Sequence, residues 1–210
     1  MDYATDEERV EELKKWWKEN GTSIIVGVAL GLSILLGWRW WTNYQETQSI
    51  SASALYSQLE NAVKTKNADK IKAYSGELFG QYENQIYASY AALTLAKSSM
   101  DANKPAEAVV KLRWALAHAK TDELKGLVTT RLARALLASG KLDEALKIAS
   151  LETGKPFQTM LSEIKGDILL AMGQSKEALA AYKKTKASLL PGAQHSPTLQ
   201  LKIDDLASVE

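Results

Sequence analysis

The residue types that could do covalent or acid-base chemistry are few in this chain. Its two histidines are His118 and His195. An imidazole at either position becomes a general base or a metal ligand only when a nucleophile, a carboxylate or further ligands surround it. No HExxH, GxSxG, glycine-rich phosphate loop or EF-hand spacing supplies such company. His118 closes an expected helix and His195 lies in a loop running from Pro191-Gly192 to Pro197, so both fit capping or solvent-facing roles. Ser162-Glu163-Ile164-Lys165 matches the SxxK string of β-lactamase-like nucleophiles, but it falls inside an expected helix without companion motifs and is a chance match. Cysteine is absent, which removes thiolate zinc sites, cysteine nucleophiles, CxxC redox pairs and disulfides together. The expectation is a non-enzymatic protein with no cofactor and no bound metal, acting through binding.

The elements that would present binding residues are helical. The chain has 210 residues, 46% of them apolar, only 4 Pro, and Ala and Leu in abundance, so an all-α protein with a real core is expected. Its 26 basic and 25 acidic side chains leave a net charge of +1, which argues against electrostatic capture of nucleic acid. Helix breaks are expected at Lys66-Asn67, Asn103-Lys104-Pro105, Ser139-Gly140, Gly154-Lys155-Pro156, Gly173 and Pro191-Gly192. Three segments between these breaks share one frame: Ala96, Asn103 and Ala108; Ala133, Gly140 and Ala145; Gly166, Gly173 and Ala178. Each has a small residue, a turn residue seven positions on and an alanine five later, and each final alanine follows a glutamate. The units lie 37 and then 33 residues apart.

This pattern resembles the tetratricopeptide repeat, in which small residues let two helices cross closely and Gly or Asn supports the turn between them. The departures are the 37-residue spacing, the missing consensus aromatics and the lack of a regular closing proline, and the segment from about Glu46 to Met100 is expected to be an atypical capping pair. Stacked pairs form a concave surface lined by the first helix of each pair. Its candidate residues are Tyr90, Leu93 and Lys97, then Thr130 and Arg134, then Glu163 and Asp167.

A different signal precedes the repeats. Gly21 to Trp38 is 18 residues without a charge. At about 1.5 Å per residue it reaches roughly 27 Å, close to the ~30 Å hydrocarbon core of a bilayer, and Arg39 can snorkel at its end. Trp16 and Trp17 flank one side and Trp38, Trp40 and Trp41 the other, as interfacial belts do. The stretch is longer than a secretory h-region, and Ala52-Ser53-Ala54 lies too far downstream to serve as its cleavage site, so an uncleaved anchor in the lipid bilayer is expected. Gly27, Gly31 and Gly37 have the spacing that permits close helix packing in membranes. Arg9, Lys14, Lys15 and Lys18 precede the span, whereas Arg39 is the only Lys or Arg between it and Lys64, so the amino terminus is expected in the cytoplasm. Before the span, Thr5-Asp6-Glu7-Glu8 reads as a capping box opening a short amphipathic helix that carries Val10, Leu13 and Trp17 and ends at Asn20-Gly21. The expected organisation is a cytoplasmic tail over 1–20, a transmembrane helix over 21–41 and a periplasmic repeat domain over 44–210.

Trp17-Lys18-Glu19-Asn20-Gly21, Val26-Gly27-Val28-Ala29-Leu30-Gly31, Gly37-Trp38-Arg39-Trp40-Trp41, Arg131-Leu132-Ala133-Arg134 and Leu201-Lys202-Ile203-Asp204-Asp205-Leu206 together resemble the YfgM family, the ancillary subunit of the bacterial SecYEG translocon. The resemblance covers essentially the whole chain. It implies an inner-membrane protein whose periplasmic domain works beside the translocon with a membrane-anchored parvulin-like foldase, passing newly exported chains towards periplasmic chaperones. It also permits a regulator whose cytoplasmic tail restrains a stress-response regulator, or a general envelope scaffold.

Overall fold

The computed structural model describes residues 6–189 and 197–208. The described residues form nine helices and no strand. They divide into two compact units, Met1–Ile50 and Ser51–Glu210.

Helix α1 spans Asp6–Lys64 without interruption. The expected end of a tail helix at Asn20-Gly21 does not occur. Instead of stopping the helix, Asn20 turns its side-chain amide back to donate to the Trp16 carbonyl (3.0 Å), and the Trp17 indole lies within 3.1 Å of where a Gly21 Cβ would stand. A glycine inside a helix costs only about 1 kcal/mol relative to alanine, too little to break a long apolar run. Thr5 of the expected capping box lies outside the described residues. Within the first unit the apolar side chains from Ile25 to Leu36 are exposed, and Ser33 donates its hydroxyl to the Ala29 carbonyl (2.8 Å), so that no polar group of that side chain needs water. Among the described residues, α1 is the one helix long and apolar enough to cross a membrane.

In the second unit the end of α1 is followed by α2 (Ala68–Gln81), α3 (Ile86–Asp101), α4 (Pro105–His118), α5 (Asp122–Ala138), α6 (Leu142–Ala149), α7 (Lys155–Ala171), α8 (Ser175–Ala187) and α9 (Pro197–Ala207). These are four helix pairs and a closing helix. The turn within each pair is built alike. Lys66, Asn103, Gly140 and Gly173 have φ of 53°, 55°, 74° and 78°. The next residue's N–H returns to a carbonyl five positions back in every case: Asn67 to Ala62, Lys104 to Ser99, Lys141 to Leu136 and Gln174 to Leu169, at 2.8 to 3.0 Å. The left-handed residue reverses the chain while the last carbonyls of the preceding helix stay satisfied.

The small residues flanking these turns sit where helices meet. Ala108, Ala133, Ala145 and Ala178 are fully buried and Ala96 nearly so. Gly166 faces the Tyr182 ring of α8 so closely that a Cβ there would lie 2.3 Å from it. The first pair, expected to be atypical, obeys the same frame with Leu59, Lys66 and Ile71 at the corresponding positions. It escapes the sequence pattern because bulky apolar residues replace the small ones. Leu59 is fully buried with Ala52, Leu55, Leu78, Ala91 and Leu95. A central core joins α3 through α7, and a third cluster around Tyr182, Leu199 and Ile203 seals α9 onto α7 and α8.

Candidate functional site

A cleft of ≈ 650 Å³ in the second unit opens among the end of α1, its turn into α2, α3 and α5. Val63, Leu93 and Ala102 give it apolar lining. Thr94 and Ser98 add hydroxyls, and six charged residues line the rest: Lys64, Lys66, Lys97, Arg131, Glu60 and Asp101. The two acids are engaged. Lys97 pairs with Asp101 at 3.6 Å along α3. Tyr56 donates its hydroxyl proton to Glu60 (3.1 Å), and because a phenol has one proton, Thr94 is the donor in the Tyr56–Thr94 bond (3.0 Å). Burial raises the Tyr56 pKa above its ordinary value; the Thr94 bond opposes this and the neighbouring Glu60 charge adds to it. Among the described residues no carboxylate lies within ion-pair distance of Lys64, Lys66 or Arg131.

The seven candidate groove residues therefore separate. Leu93 and Lys97 line the cleft. Tyr90 is half-buried, its ring 6.2 Å from that of Tyr56 and 6.1 Å from that of Tyr87. Thr130 does not face a groove: it is buried, with its hydroxyl donated to the Gly126 carbonyl (2.8 Å). Arg134 is exposed on α5. Glu163 and Asp167 are not open either. Lys202 of α9 reaches both, at 2.9 and 2.7 Å, and the Tyr182 hydroxyl donates to Asp167 at 2.6 Å. Burial of the phenol, then the Asp167 bond and the Asp167 and Glu163 charges, push the Tyr182 pKa well above its ordinary range. For Lys202 burial works against the ammonium, but the hydrogen bonds and charges of Asp167 and Glu163 outweigh it and the pKa rises. Two residues chosen for their charge thus hold a helix. Sequence periodicity could not show this, because the helix that covers them lies about 35 positions downstream.

Lys64, Lys66 and Arg131 are cleft residues that the repeat pattern did not single out. The signal was present in the spacing, since Lys66 stands 37 positions before Asn103, as Asn103 stands before Gly140.

The residues considered for chemistry are accounted for structurally. His118 stacks on Trp114 (centroids 4.0 Å apart) and donates Nδ1–H to its carbonyl (2.8 Å), since a carbonyl can only accept. Ser162 gives its hydroxyl to the Gln158 carbonyl (2.9 Å). His195 lies outside the described residues, and among those described no cluster of His, Asp and Glu could hold a metal. In the first unit, Trp16, Trp17, Trp38, Trp40 and Trp41 are exposed, with Arg39 beside them. A Cβ at Gly27, Gly31 or Gly37 would meet nothing within 4 Å.

Comparison with known proteins agrees with this architecture. The profile of the tetratricopeptide repeat-like domain family matches residues 14–208. The ancillary SecYEG translocon subunit of Escherichia coli (strain K12) is 31% identical over 206 residues, covering 98% of each chain. The proteins of that name from Haemophilus influenzae and Neisseria gonorrhoeae are 32% identical over 189 residues (90% of this chain, 92% of the relative) and 27% identical over 205 residues (97% and 98%). No solved structure matches the chain. The chain, matched over nearly its whole length by these relatives, belongs to the tetratricopeptide repeat-like domain family and to the YfgM family of ancillary SecYEG translocon subunits.

Proposed function

We propose that the chain is an ancillary subunit of a bacterial SecYEG translocon, anchored in the inner membrane by one pass of α1 over residues 21–41. The tail over 1–20 is cytoplasmic and the repeat domain over 44–210 is periplasmic. There it acts as an adaptor and chaperone, binding a membrane-anchored parvulin-like foldase or newly exported chains and passing them to periplasmic chaperones. The observation that carries this reading is the union, within one helix, of an exposed uncharged segment and the first half of a helix-pair stack. Such a protein works by position and by binding. Tethering a modest binding surface near the translocon exit raises its effective concentration there without any need for tight intrinsic affinity. The relatives' shared name supports the assignment of the translocon as partner.

Photocrosslinking residues placed at Lys97 and at Arg134 of the full-length protein in intact bacteria test the proposal. Adducts with translocon subunits, with a parvulin-like foldase or with newly exported chains are expected. Adducts confined to cytoplasmic proteins would overturn it.

A further inference from the structure

We propose that the groove between α6 and α8, over the face of α7 turned away from Glu163 and Asp167, is a docking site for a helix of another protein that carries a basic and an acidic residue two turns apart. The basic residue meets Glu177, and the acidic one meets Lys165 and Lys184. The groove lies among the second helices of the pairs, so it is separate from the surface lined by the first helices and from whatever that surface binds.

The first observation is a missing closure. The second helices α2, α4, α6 and α8 meet at three junctions, and the chain's own side chains bridge the first two. Phe79 of α2 packs on Trp114 of α4 (centroids 4.5 Å apart), and Arg113 of α4 pairs with Glu144 of α6. The third junction holds a groove of ≈ 340 Å³ whose lining includes Ser150, Lys165, Glu177, Ala180, Ala181 and Lys184. In the common frame Ser150 follows Ala145 by five positions, as Arg113 follows Ala108, and Glu177 precedes Ala178 as Glu144 precedes Ala145. Serine thus stands where the bridging arginine would be, and among the described residues no cation lies within ion-pair distance of Glu177. Helix α6 also stops at Ala149, whereas α4 continues to His118, so the wall of the third junction ends early. Beside this gap the Thr153 hydroxyl is buried without a hydrogen-bond partner, while the Thr153 N–H is given to Oε1 of Gln158, another lining residue (3.0 Å).

The second observation is a lysine in a leucine's place. The position just before the small residue of the first helix is Leu95 in α3 and Leu132 in α5, both buried. In α7 it is Lys165, half-buried against the groove, and among the described residues neither it nor Lys184 has a carboxylate within ion-pair distance. A partly desolvated cation without a counter-ion carries a cost that leucine avoids.

The third is the arrangement of the charges. Gly166 meets the Tyr182 ring, which brings Lys165 of α7 to the level of Lys184 on α8. The two ammonium groups share one end of the groove. Glu177 lies seven positions from Lys184, roughly 10 Å along the helix at about 1.5 Å per residue. A lone anion would satisfy the lysines and leave Glu177 unpaired, whereas a helix bearing both signs at the same spacing satisfies all three. Between the charges α8 presents Ala180 and Ala181, where α4 has Val110 and Lys111 and α6 has Lys147 and Ile148. That small surface permits a second helix axis to approach to about 8–10 Å.

The full-length chain in uncharged detergent micelles is titrated with a fluorescent, stapled alanine-based helix carrying one Arg and one Glu seven positions apart, and with a counterpart carrying Arg at both positions. The mixed peptide is expected to bind at least about tenfold more tightly, by an advantage that shrinks as salt screens the charges. Ser150→Arg should rebuild the closure seen between Arg113 and Glu144, weakening the peptide while keeping or raising the thermal midpoint. Lys165→Leu should do the same, a pairing of effects that a purely structural lysine would not give. Lys72→Gln, an exposed cation of α2, should leave affinity intact. Equal affinity for the two peptides, or a lower midpoint with unchanged affinity in Lys165→Leu, would overturn the proposal. So would binding of phosphatidylglycerol vesicles that depends on Lys165 and Lys184 and strengthens in Glu177→Gln, since a lipid surface has no use for the carboxylate. Translocon crosslinking by the same variants reads the proposed function separately: translocon adducts that persist beside failed peptide binding would remove this groove alone.

Discussion

Gly166 and Tyr182 show how a single atom sets the closeness of two helices. The ring of Tyr182 lies where a Gly166 side chain would begin, 2.3 Å from an ideal Cβ, and both residues are buried. Gly166→Ala must therefore push α7 and α8 apart or displace the ring. It is expected to destabilise the fold by about 1–3 kcal/mol, as overpacking does, despite alanine's better helix propensity. An unchanged or raised thermal midpoint would refute the close crossing. The same tyrosine predicts an alkaline limb in stability. Its folded pKa lies above the ordinary 10.0, and that of Lys202 above 10.5. Both groups hold their protons longer in the folded chain than in the unfolded one. Their stabilising contribution is complete below the unfolded values and is lost as pH rises above them towards the folded values. Urea midpoints should accordingly be flat through neutral pH and fall from about pH 10 upward. Tyr182→Phe should start lower, having lost its bond to Asp167, but fall less steeply. A parallel decline in the two proteins would show that Tyr182 does not carry the effect.

At the level of elements, the repeated unit is a turn as much as a pair of helices. The four left-handed residues and the N–H that follows each form one hydrogen-bonding pattern. A side chain added at Gly140, whose φ is 74°, meets no neighbour, so the cost of Gly140→Ala comes from the backbone alone, roughly 1 kcal/mol. Ala145→Leu, by contrast, inserts bulk at a fully buried crossing of α5 and α6 and should cost about 1–3 kcal/mol. Thermal unfolding of the two variants should rank them in that order; the reverse order would place the crossing elsewhere. The expected breaks from Lys66-Asn67 to Gly173 coincide with the turns inside pairs and with the start of α7, while the one at Pro191-Gly192 lies outside the described residues. Two breaks between pairs were silent, at 82–85 and at 119–121. Neither contains Gly or Pro. The second is set by Thr121, whose hydroxyl accepts the Leu124 N–H (3.2 Å), and by Lys120 donating to the Asn84 carbonyl (2.7 Å) across to the first. A threonine cap followed by Asp122-Glu123 was the available local signal.

For the molecule as a whole, the proposed topology makes a direct prediction. Four Lys or Arg residues precede the uncharged segment and one follows it closely. A reporter fused after Glu210 should be active if it works only in the periplasm and inactive if it works only in the cytoplasm. The opposite outcome would invert the orientation. Releasing residues 44–210 from the anchor, in cells and at matched expression, should lower crosslinking to translocon subunits severalfold, because the local concentration provided by the tether is gone. Equal yields from anchored and released forms would argue that position contributes nothing.

The sequence alone determined whatever depends on neighbours along the chain. The uncharged run from Gly21 to Trp38, the one-sided distribution of Lys and Arg, the small residues beside Asn103, Gly140 and Gly173, and the helical class are all properties of local composition and period. Periodicity placed Leu93 and Lys97 together because they share a helix face four residues apart. It could not distinguish Lys97, exposed at the cleft, from Asp167, held under α9 by Lys202 and Tyr182, since both are charged residues on the first helix of a pair. It also left the register of the first helix pair, expected only as an atypical cap, unrecognised, because Leu59 and Ile71 fill the contact with volume where the later pairs use alanine or glycine. Which cations stay unpaired, and which carboxylates are spent on holding the last helix, was decided by the tertiary structure: an ion pair requires atoms within about 4 Å, and that distance is set by the packing of helices far apart in sequence.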